Sequence, residues 1–184
     1  MIRARSWPWM TLWAVLLCSP APVGAADLPE ITGETLSVGD LALERTGRGT
    51  RSLAFIDVYR CALYLPRRIG SIDEMMPDDV PVAIVIEVLV NDPPDEMPDR
   101  WRATLREEIT DRAFKKLKRA YRQVAMHDRL VFLYRPGTGT DVILNENALF
   151  TDPGKGLMNG LLEQWLGDKP VSESLRTALM STTR

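Results

Sequence analysis

The stretch "YRPGTGTDVILNE" (residues 134–146) places a proline and two glycines between two apolar runs. A phosphate-binding loop would need a glycine spacing that ends in Lys-Ser or Lys-Thr and opens a helix. Here Gly137 and Gly139 are followed by Thr140 and Asp141, and then by a second apolar run. The dinucleotide-binding pattern is excluded for the same reason. Because proline and glycine supply turn dihedrals, the stretch predicts a β-hairpin.

Further strands are predicted upstream of this hairpin, beginning with residues 35–66. Within them, "FIDVYRCALYLP" (residues 55–66) is rich in aromatic and β-branched residues that alternate between two faces. Gly47 and Gly49 lie where a turn or a bulge is easily made. The run "PVAIVIEVLV" (residues 81–90) is almost continuously apolar, which favours a central strand buried on both faces.

One long helix is predicted over residues 98–124, with a length of about 40 Å that could cross a whole sheet. Its apolar residues recur every four positions: Met97, Trp101, Leu105, Ile109, Ala113, Leu117 and Tyr121. Asp152 and Pro153 predict the start of a second helix that Gly167 ends, and Ser172 predicts the cap of a third. Strands, a helix, strands and helices in this order predict an α+β fold, with helices on one face of a mainly antiparallel sheet.

The N-terminal segment has the composition of a secretory signal peptide. Two arginines precede an uncharged apolar run at residues 9–17, and Val23 and Ala25 stand at the −3 and −1 positions of a cleavage site. The apolar run is too short to span a membrane. We therefore expect residues 1–25 to be removed by cleavage near Ala25, and residues 26–184 to form a single domain in the periplasm or outside the cell.

The composition of the expected mature chain excludes several classes of protein. Removal of two arginines from the 23 Lys and Arg leaves 21 against 25 Asp and Glu, a net charge of −4. A general nucleic-acid binder would show a basic footprint instead. Cys61 is its only cysteine and His127 its only histidine, so the common zinc sites and an intrachain disulfide cannot form. We expect no metal and no cofactor, and the oligomeric state stays open.

Three stretches in this order resemble the bacterial exported branch of the chalcone isomerase-like family. They are "GRGTRSLAFIDVYRCALYLP", "HDRLVFLYRPGTGTDVILNENALF" and "LMNGLLEQWLGDKPVSESLRTAL". The similarity extends from about Leu36 to Leu179. It implies an open-faced β-sandwich, in which a large antiparallel sheet is covered on one face by helices. This agrees with the α+β fold predicted from the residues.

The resemblance also implies a set of ligand-binding residues. The family places an arginine after the early glycine pair, facing a ligand cleft, and Arg51 matches it. A guanidinium presents paired donors to a carboxylate or phenolate, although Arg51 also fits an ordinary surface arginine. Tyr59 matches a hydroxyl residue near the cleft, and it equally fits a core tyrosine. Trp101 lies at the start of the long helix, and Asn145 flanks the second hairpin as a polar contact.

Arg51 and Tyr59 can share a ligand only if the chain reverses between them. On a straight strand they would be roughly 26 Å apart. The reversal would have to lie between Ser52 and Phe55, where no glycine or asparagine signals a turn. The pairing of the two residues therefore follows from the resemblance alone.

The resemblance implies a binding function more readily than catalysis. Plant isomerases of the family use a tyrosine and an asparagine at the start of the long helix to order water around the ketone of the ligand. The corresponding stretch here, "PPDEMPDRWRATL" (residues 93–105), has neither, so the developing charge would lack stabilisation. We expect a non-catalytic domain that binds a small amphipathic or fatty-acid-like ligand between sheet and helices. An intramolecular lyase of the chalcone isomerase type and a scaffold with a filled cleft stay open as alternatives.

Overall fold

The computed structural model describes residues 33–181, so the predicted signal peptide lies outside the described residues. The strands are β1 (Thr35–Val38), β2 (Leu41–Leu53), β3 (Ile56–Leu65), β4 (Val82–Val88), β5 (Arg129–Arg135), β6 (Gly139–Leu144) and β7 (Asn147–Asp152). The helices are α1 (Asp99–Glu108), α2 (Asp111–Tyr121), α3 (Gly156–Leu166) and α4 (Glu173–Met180). Within residues 33–181, none of the helices has the length and apolar composition needed to cross a membrane.

All seven strands form one antiparallel sheet in which each strand pairs with its neighbours in the chain, in the order β1 to β7. The hairpin predicted at residues 134–146 is confirmed by the pairing of β5 with β6. Thr138 N donates a hydrogen bond to Arg135 O across Pro136 and Gly137, and Gly137 has a φ of 74°. Proline followed by a glycine at positive φ is the sequence preference of a type II turn.

Strand β4 is buried on both faces, as its apolar run predicts. Val82, Ile84 and Ile86 belong to the core between the sheet and the helices, whereas Ala83 and Val85 belong to a second cluster on the opposite face. That second cluster contains buried residues from β1 to β6: Leu36, Leu43, Ala62, Tyr64, Ala83, Val85, Val131, Leu133 and Ile143. The curled antiparallel sheet with four helices confirms the predicted α+β architecture.

The single long helix predicted over residues 98–124 is wrong, because the chain forms two helices there. Ile109 leaves the helix in an extended conformation, with φ −129° and ψ 159°. Thr110 is the N-cap of α2, and its hydroxyl accepts a hydrogen bond from Ala113 N at 3.2 Å. The four-residue apolar spacing continues across the break, so periodicity could not reveal it. The threonine, a preferred N-cap residue, was the available signal.

The predicted helix start at Asp152 and Pro153 is also wrong. Asp152 ends β7, and α3 begins only at Gly156 with Lys155 as its N-cap residue. The predictions for the last helices hold otherwise. Gly167 is the C-cap residue of α3, and Ser172 caps α4, with its Oγ accepting from Leu175 N at 3.3 Å.

Gly47 and Gly49 lie inside β2, where they allow α4 to approach the strand closely. The pairing register shifts between Arg45 and Gly47, so the predicted bulge is present there and a turn is not. A Cβ atom at Gly47 would lie 2.3 Å from the carbonyl oxygen of Ala178, and one at Gly49 would lie 2.7 Å from the Ala178 Cβ. Larger residues at either position would push α4 away from the sheet.

Lys155 ties the β3–β4 loop to the start of α3. Its side chain is buried, and its Nζ donates hydrogen bonds to the carbonyl oxygens of Met75 at 2.6 Å, Pro77 at 2.5 Å and Val80 at 2.9 Å. Burial lowers the pKa of Lys155 to about 8, and two nearby aspartates oppose this shift. The side chain is therefore an ammonium at neutral pH, with its three donors matched to three acceptors.

We expect Lys155→Met to lower the free energy of unfolding by at least about 3 kcal/mol, because three carbonyls lose a charged donor inside the protein. Lys115→Met is the matched control. Lys115 is exposed on α2, so its replacement should change the stability by less than about 0.5 kcal/mol. Urea unfolding followed by tryptophan fluorescence measures both variants. Similar small changes in the two variants would show that Lys155 does not hold the loop.

Candidate ligand-binding site

A cavity of about 460 Å³ lies between the sheet and the pair of helices α1 and α2. Small-molecule sites typically have volumes of about 300–1,000 Å³. The side chains that line it are almost all apolar. The sheet contributes Val58, Tyr59, Ile86, Val88, Leu130 and Phe132, and the helices with their flanking loops contribute Met97, Trp101, Leu105, Leu117, Tyr121, Val124 and Leu161. Such a wall suits the hydrocarbon or aromatic part of a ligand.

Arg51 and Tyr59 meet on this wall because the chain reverses at Ala54 and Phe55. They are cross-strand partners in the β2–β3 hairpin, and both line the cavity. Ala54 has a φ of 46° and Phe55 a φ of 74°. Positive φ at both residues of a two-residue loop usually selects Asn-Gly. The reversal that the pairing requires is therefore present, although neither residue signals it in the sequence.

The Tyr59 hydroxyl is held in place by a tryptophan. It accepts a hydrogen bond from Trp165 Nε1 at 2.8 Å, and the two rings meet edge to face with centroids 6.5 Å apart. Burial raises the pKa of Tyr59 well above its ordinary range, against the opposing effects of the Trp165 bond and of Arg51. The phenol is therefore neutral at physiological pH. Its own hydrogen has no acceptor among residues 33–181, so it can be donated to a ligand.

Arg51 keeps most of its donors available. Its side chain is half-buried, and one Nη donates to the carbonyl oxygen of Ser52 at 3.1 Å. Among the described residues, no carboxylate forms an ion pair with Arg51. A guanidinium carries five N–H donors and is always charged in proteins, so the remaining donors suit an anionic group. Arg100, in the first turn of α1, is a second arginine on the cavity lining and is exposed.

Trp101 lies on the helix side of the cavity and is fixed by the same tryptophan that holds Tyr59. The rings of Trp101 and Trp165 meet edge to face, with centroids 5.1 Å apart and an angle of 80° between planes. Trp165 thus connects a sheet residue and an α1 residue of the lining. No pattern in the sequence predicts the hydrogen bond between Trp165 and Tyr59.

Asn145 does not reach the cavity, contrary to the prediction that it contacts the ligand. It is the first residue of the two-residue loop between β6 and β7, with a φ of 47°. Its Oδ1 accepts from Arg129 N at 2.8 Å, and its Nδ2 donates to an Asp128 carboxylate oxygen at 2.6 Å. Asparagine tolerates the left-handed conformation, so the turn and these two bonds account for the residue.

The curled sheet, the helices on one face and the cavity between them define the class of the protein. The chain belongs to the chalcone isomerase-like family, whose model matches residues 30–181. Among solved structures, the chain is similar to a fatty-acid binding protein of Arabidopsis thaliana, with a TM-score of 0.54 and 14% sequence identity. The similarity covers 78% of this chain and 89% of that protein, and at this identity it shows a shared fold. Comparison with curated proteins found no match.

We expect Tyr59→Phe to lower the free energy of unfolding by about 1–3 kcal/mol, because Trp165 Nε1 then loses its acceptor in a buried environment. Tyr121→Phe is the matched control. Tyr121 also lines the cavity, but its hydroxyl makes no hydrogen bond to a described residue, so the change should stay below about 0.5 kcal/mol. Thermal and urea unfolding measure both variants. Equal stability of the two variants would contradict a structural bond between Tyr59 and Trp165.

Proposed function

We propose that this protein is an exported, non-catalytic binding domain that holds a fatty-acid-like ligand by its carboxylate. The observation that carries the proposal is the pairing of Arg51 with Tyr59 on the wall of an otherwise apolar cavity. A guanidinium and a neutral phenol can both donate hydrogen bonds to one carboxylate, and bonds to charged groups are the stronger ones. A small number of polar groups within an apolar wall is typical of sites for amphipathic molecules.

The tail of the ligand would lie between the sheet and α1. From the Arg51–Tyr59 pair, Ile86 and Phe132 continue the apolar floor, and Trp101 and Leu105 form the roof. Each Å² of apolar surface that leaves water contributes roughly 25 cal/mol. An acyl or aromatic tail therefore gains affinity along the cavity, while the polar pair sets its direction. The similar structure from Arabidopsis thaliana is described as a fatty-acid binding protein, which supports this class of ligand.

The chemistry of the lining favours binding over catalysis. Among the described residues that line the cavity there is no Asp, Glu, His or Lys that could act as a general base near neutral pH. Burial raises the pKa of Tyr59, so this phenol donates a hydrogen bond and does not take up a proton. At the start of α1 the cavity is lined by Trp101, and residues 93–105 contain neither tyrosine nor asparagine.

We expect the protein to bind palmitate more tightly than methyl palmitate, because only the acid offers a carboxylate to Arg51. Arg51→Ala should weaken palmitate binding roughly ten- to a hundredfold and remove the preference for the acid. Arg51→Lys should recover only part of the affinity, since an ammonium cannot make the paired contact. Titrations followed by tryptophan fluorescence measure these affinities, with Trp101 beside the site as the reporter.

Two further arginines serve as controls for this titration. Arg100→Ala tests whether the second arginine of the lining, and not Arg51, holds the carboxylate. Arg48→Ala removes an exposed arginine from the same strand and should leave the affinity unchanged. Equal affinity of the wild type for acid and ester would contradict the proposed role of Arg51. Cyclisation of a hydroxychalcone above the uncatalysed rate, lost in Arg51→Ala, would favour the intramolecular lyase instead.

We expect the protein to be exported and processed, on the pattern of residues 1–25. N-terminal sequencing of protein recovered from the cell envelope should then begin near Ala26. The same measurement on cytoplasmic material serves as the comparison. A cytoplasmic protein that retains Met1, with none in the envelope, would contradict export and leave the proposed binding role in place.

A further inference from the structure

The β2–β3 tip, defined as residues 53–56, presents large apolar side chains to solvent. Leu53 is 53% exposed, Ile56 is 62% exposed and Phe55 is 105% exposed. No other large hydrophobic side chain among residues 33–181 is comparably exposed. Exposed apolar patches on a folded protein mark sites of contact with proteins or membranes. The tip is therefore a candidate contact surface outside the cavity.

The tip also keeps an unfavourable backbone conformation. Ala54 and Phe55 have φ angles of 46° and 74°, in a loop type that favours Asn-Gly. The loop between β6 and β7 has nearly the same angles, 47° and 71°, and carries the polar residues Asn145 and Glu146. A bulky residue such as Phe at positive φ is an outlier, and such strain is characteristic of functional positions. Phe55 thus occupies a position where glycine would be more stable.

The tip adjoins the cavity described above. Leu53 belongs both to the tip and to the cavity lining, and Arg51 lies two residues before it on β2. Leu89 N donates a hydrogen bond to Val58 O at 2.9 Å, which holds the beginning of the β4–α1 loop beside β3. Pro93 in that loop also lines the cavity. The exposed tip therefore borders the cavity at Leu53.

We propose that the β2–β3 tip inserts into the surface of a lipid bilayer, so that an acyl ligand passes between membrane and cavity along Leu53. This inference rests on the proposed function for the nature of the ligand. The tip favours a bilayer over a protein because it offers only three large exposed side chains, at the turn of a hairpin. A stable protein interface buries about 800 Å² on each partner, whereas a few apolar side chains suffice for reversible insertion into a lipid interface.

The charges near the tip indicate whether the bilayer needs anionic lipids. Arg51 and Arg100 lie on the cavity lining, and Asp57, Asp92 and Asp95 are exposed in the adjoining strand and loop. Because the two signs are mixed, the apolar side chains dominate the interaction. We therefore expect phosphatidylcholine vesicles to suffice for binding, and added phosphatidylglycerol to change the association by less than about threefold.

The test exploits the strain at the tip. The double variant Ala54→Asn/Phe55→Gly installs the residues that the loop favours, so its melting temperature should rise while its association with phosphatidylcholine vesicles falls at least about tenfold. Glu146→Gly is the matched control, because it relieves the equivalent position of the β6–β7 loop and leaves the tip intact. Ile56→Thr keeps a β-branched residue and should weaken the association with vesicles without relief of strain.

Co-sedimentation with vesicles measures the association of each variant, and any contribution of the N-terminal apolar segment is common to all variants.

The second measurement concerns the ligand. Arg51, Leu53 and the cavity are unchanged in the double variant, so its affinity for palmitate in vesicle-free buffer should equal that of the wild type. Its rate of palmitate uptake from loaded vesicles should fall at least about tenfold, in proportion to association. If the wild type bound palmitate only weakly but still associated with vesicles through the tip, the proposed ligand would be refuted. The contact between the tip and the membrane would then be supported.

Vesicle association that is equal in the wild type and the double variant would overturn the proposal. It would also be overturned if the wild type ignored vesicles and instead used the tip to self-associate or to bind another protein.

Discussion

The burial of β4 on both faces is the constraint from which the architecture follows. A strand that is apolar on both faces must be covered on both, because each large side chain left in water would forfeit about 1.5–3 kcal/mol. On one face, Ile84 and Ile86 pack beneath the helices. On the other face, Ala83 and Val85 belong to a second buried cluster with side chains from the other strands. The cavity lies on the helix side, where the cover is divided between α1 and α2.

Arg51 and Tyr59 are the polar pair that would orient a ligand in the otherwise apolar cavity. Arg51 supplies guanidinium N–H donors, and burial raises the pKa of Tyr59 so that its phenol keeps its hydrogen. The pair therefore presents a guanidinium and a neutral phenol to a ligand. Trp165 occupies an acceptor position on the Tyr59 oxygen, which leaves the phenolic hydrogen for the ligand. The pH dependence of binding would then follow the carboxyl group of the ligand.

Patterns within one element were predicted from the sequence, whereas relations between elements mostly were not. The apolar run of β4 and the Pro-Gly turn before β6 are local signals, and both were read correctly. The break between α1 and α2 was missed because Leu105, Ile109 and Ala113 keep the same spacing on both sides of Thr110. The helical period identifies the apolar face of a helix. It does not show where one helix ends and a second helix with the same spacing begins.

The same distinction between local patterns and contacts between distant elements applies to the candidate site. Arg51 and Tyr59 were named from a resemblance, and their meeting depends on a loop whose residues lack the usual turn preference. Asn145 was assigned to the ligand, although its preference for a left-handed turn was itself a readable signal. The bond between Trp165 and Tyr59 joins residues far apart in the chain, and single-sequence periodicity contains no information on such pairs.

The glycines of β2 have a consequence for the order in which the chain assembles. Gly47 and Gly49 are near the beginning of the described chain, and the helix that packs on them, α4, is near its end. A contact between segments so distant in sequence requires the intervening chain to be largely collapsed before it becomes favourable. We therefore expect α4 to dock late, and a chain that lacks it to expose a smooth glycine groove on β2. Among residues 33–181, an early strand and the last helix therefore complete the packing together, so this contact can form only after α4 has been synthesised.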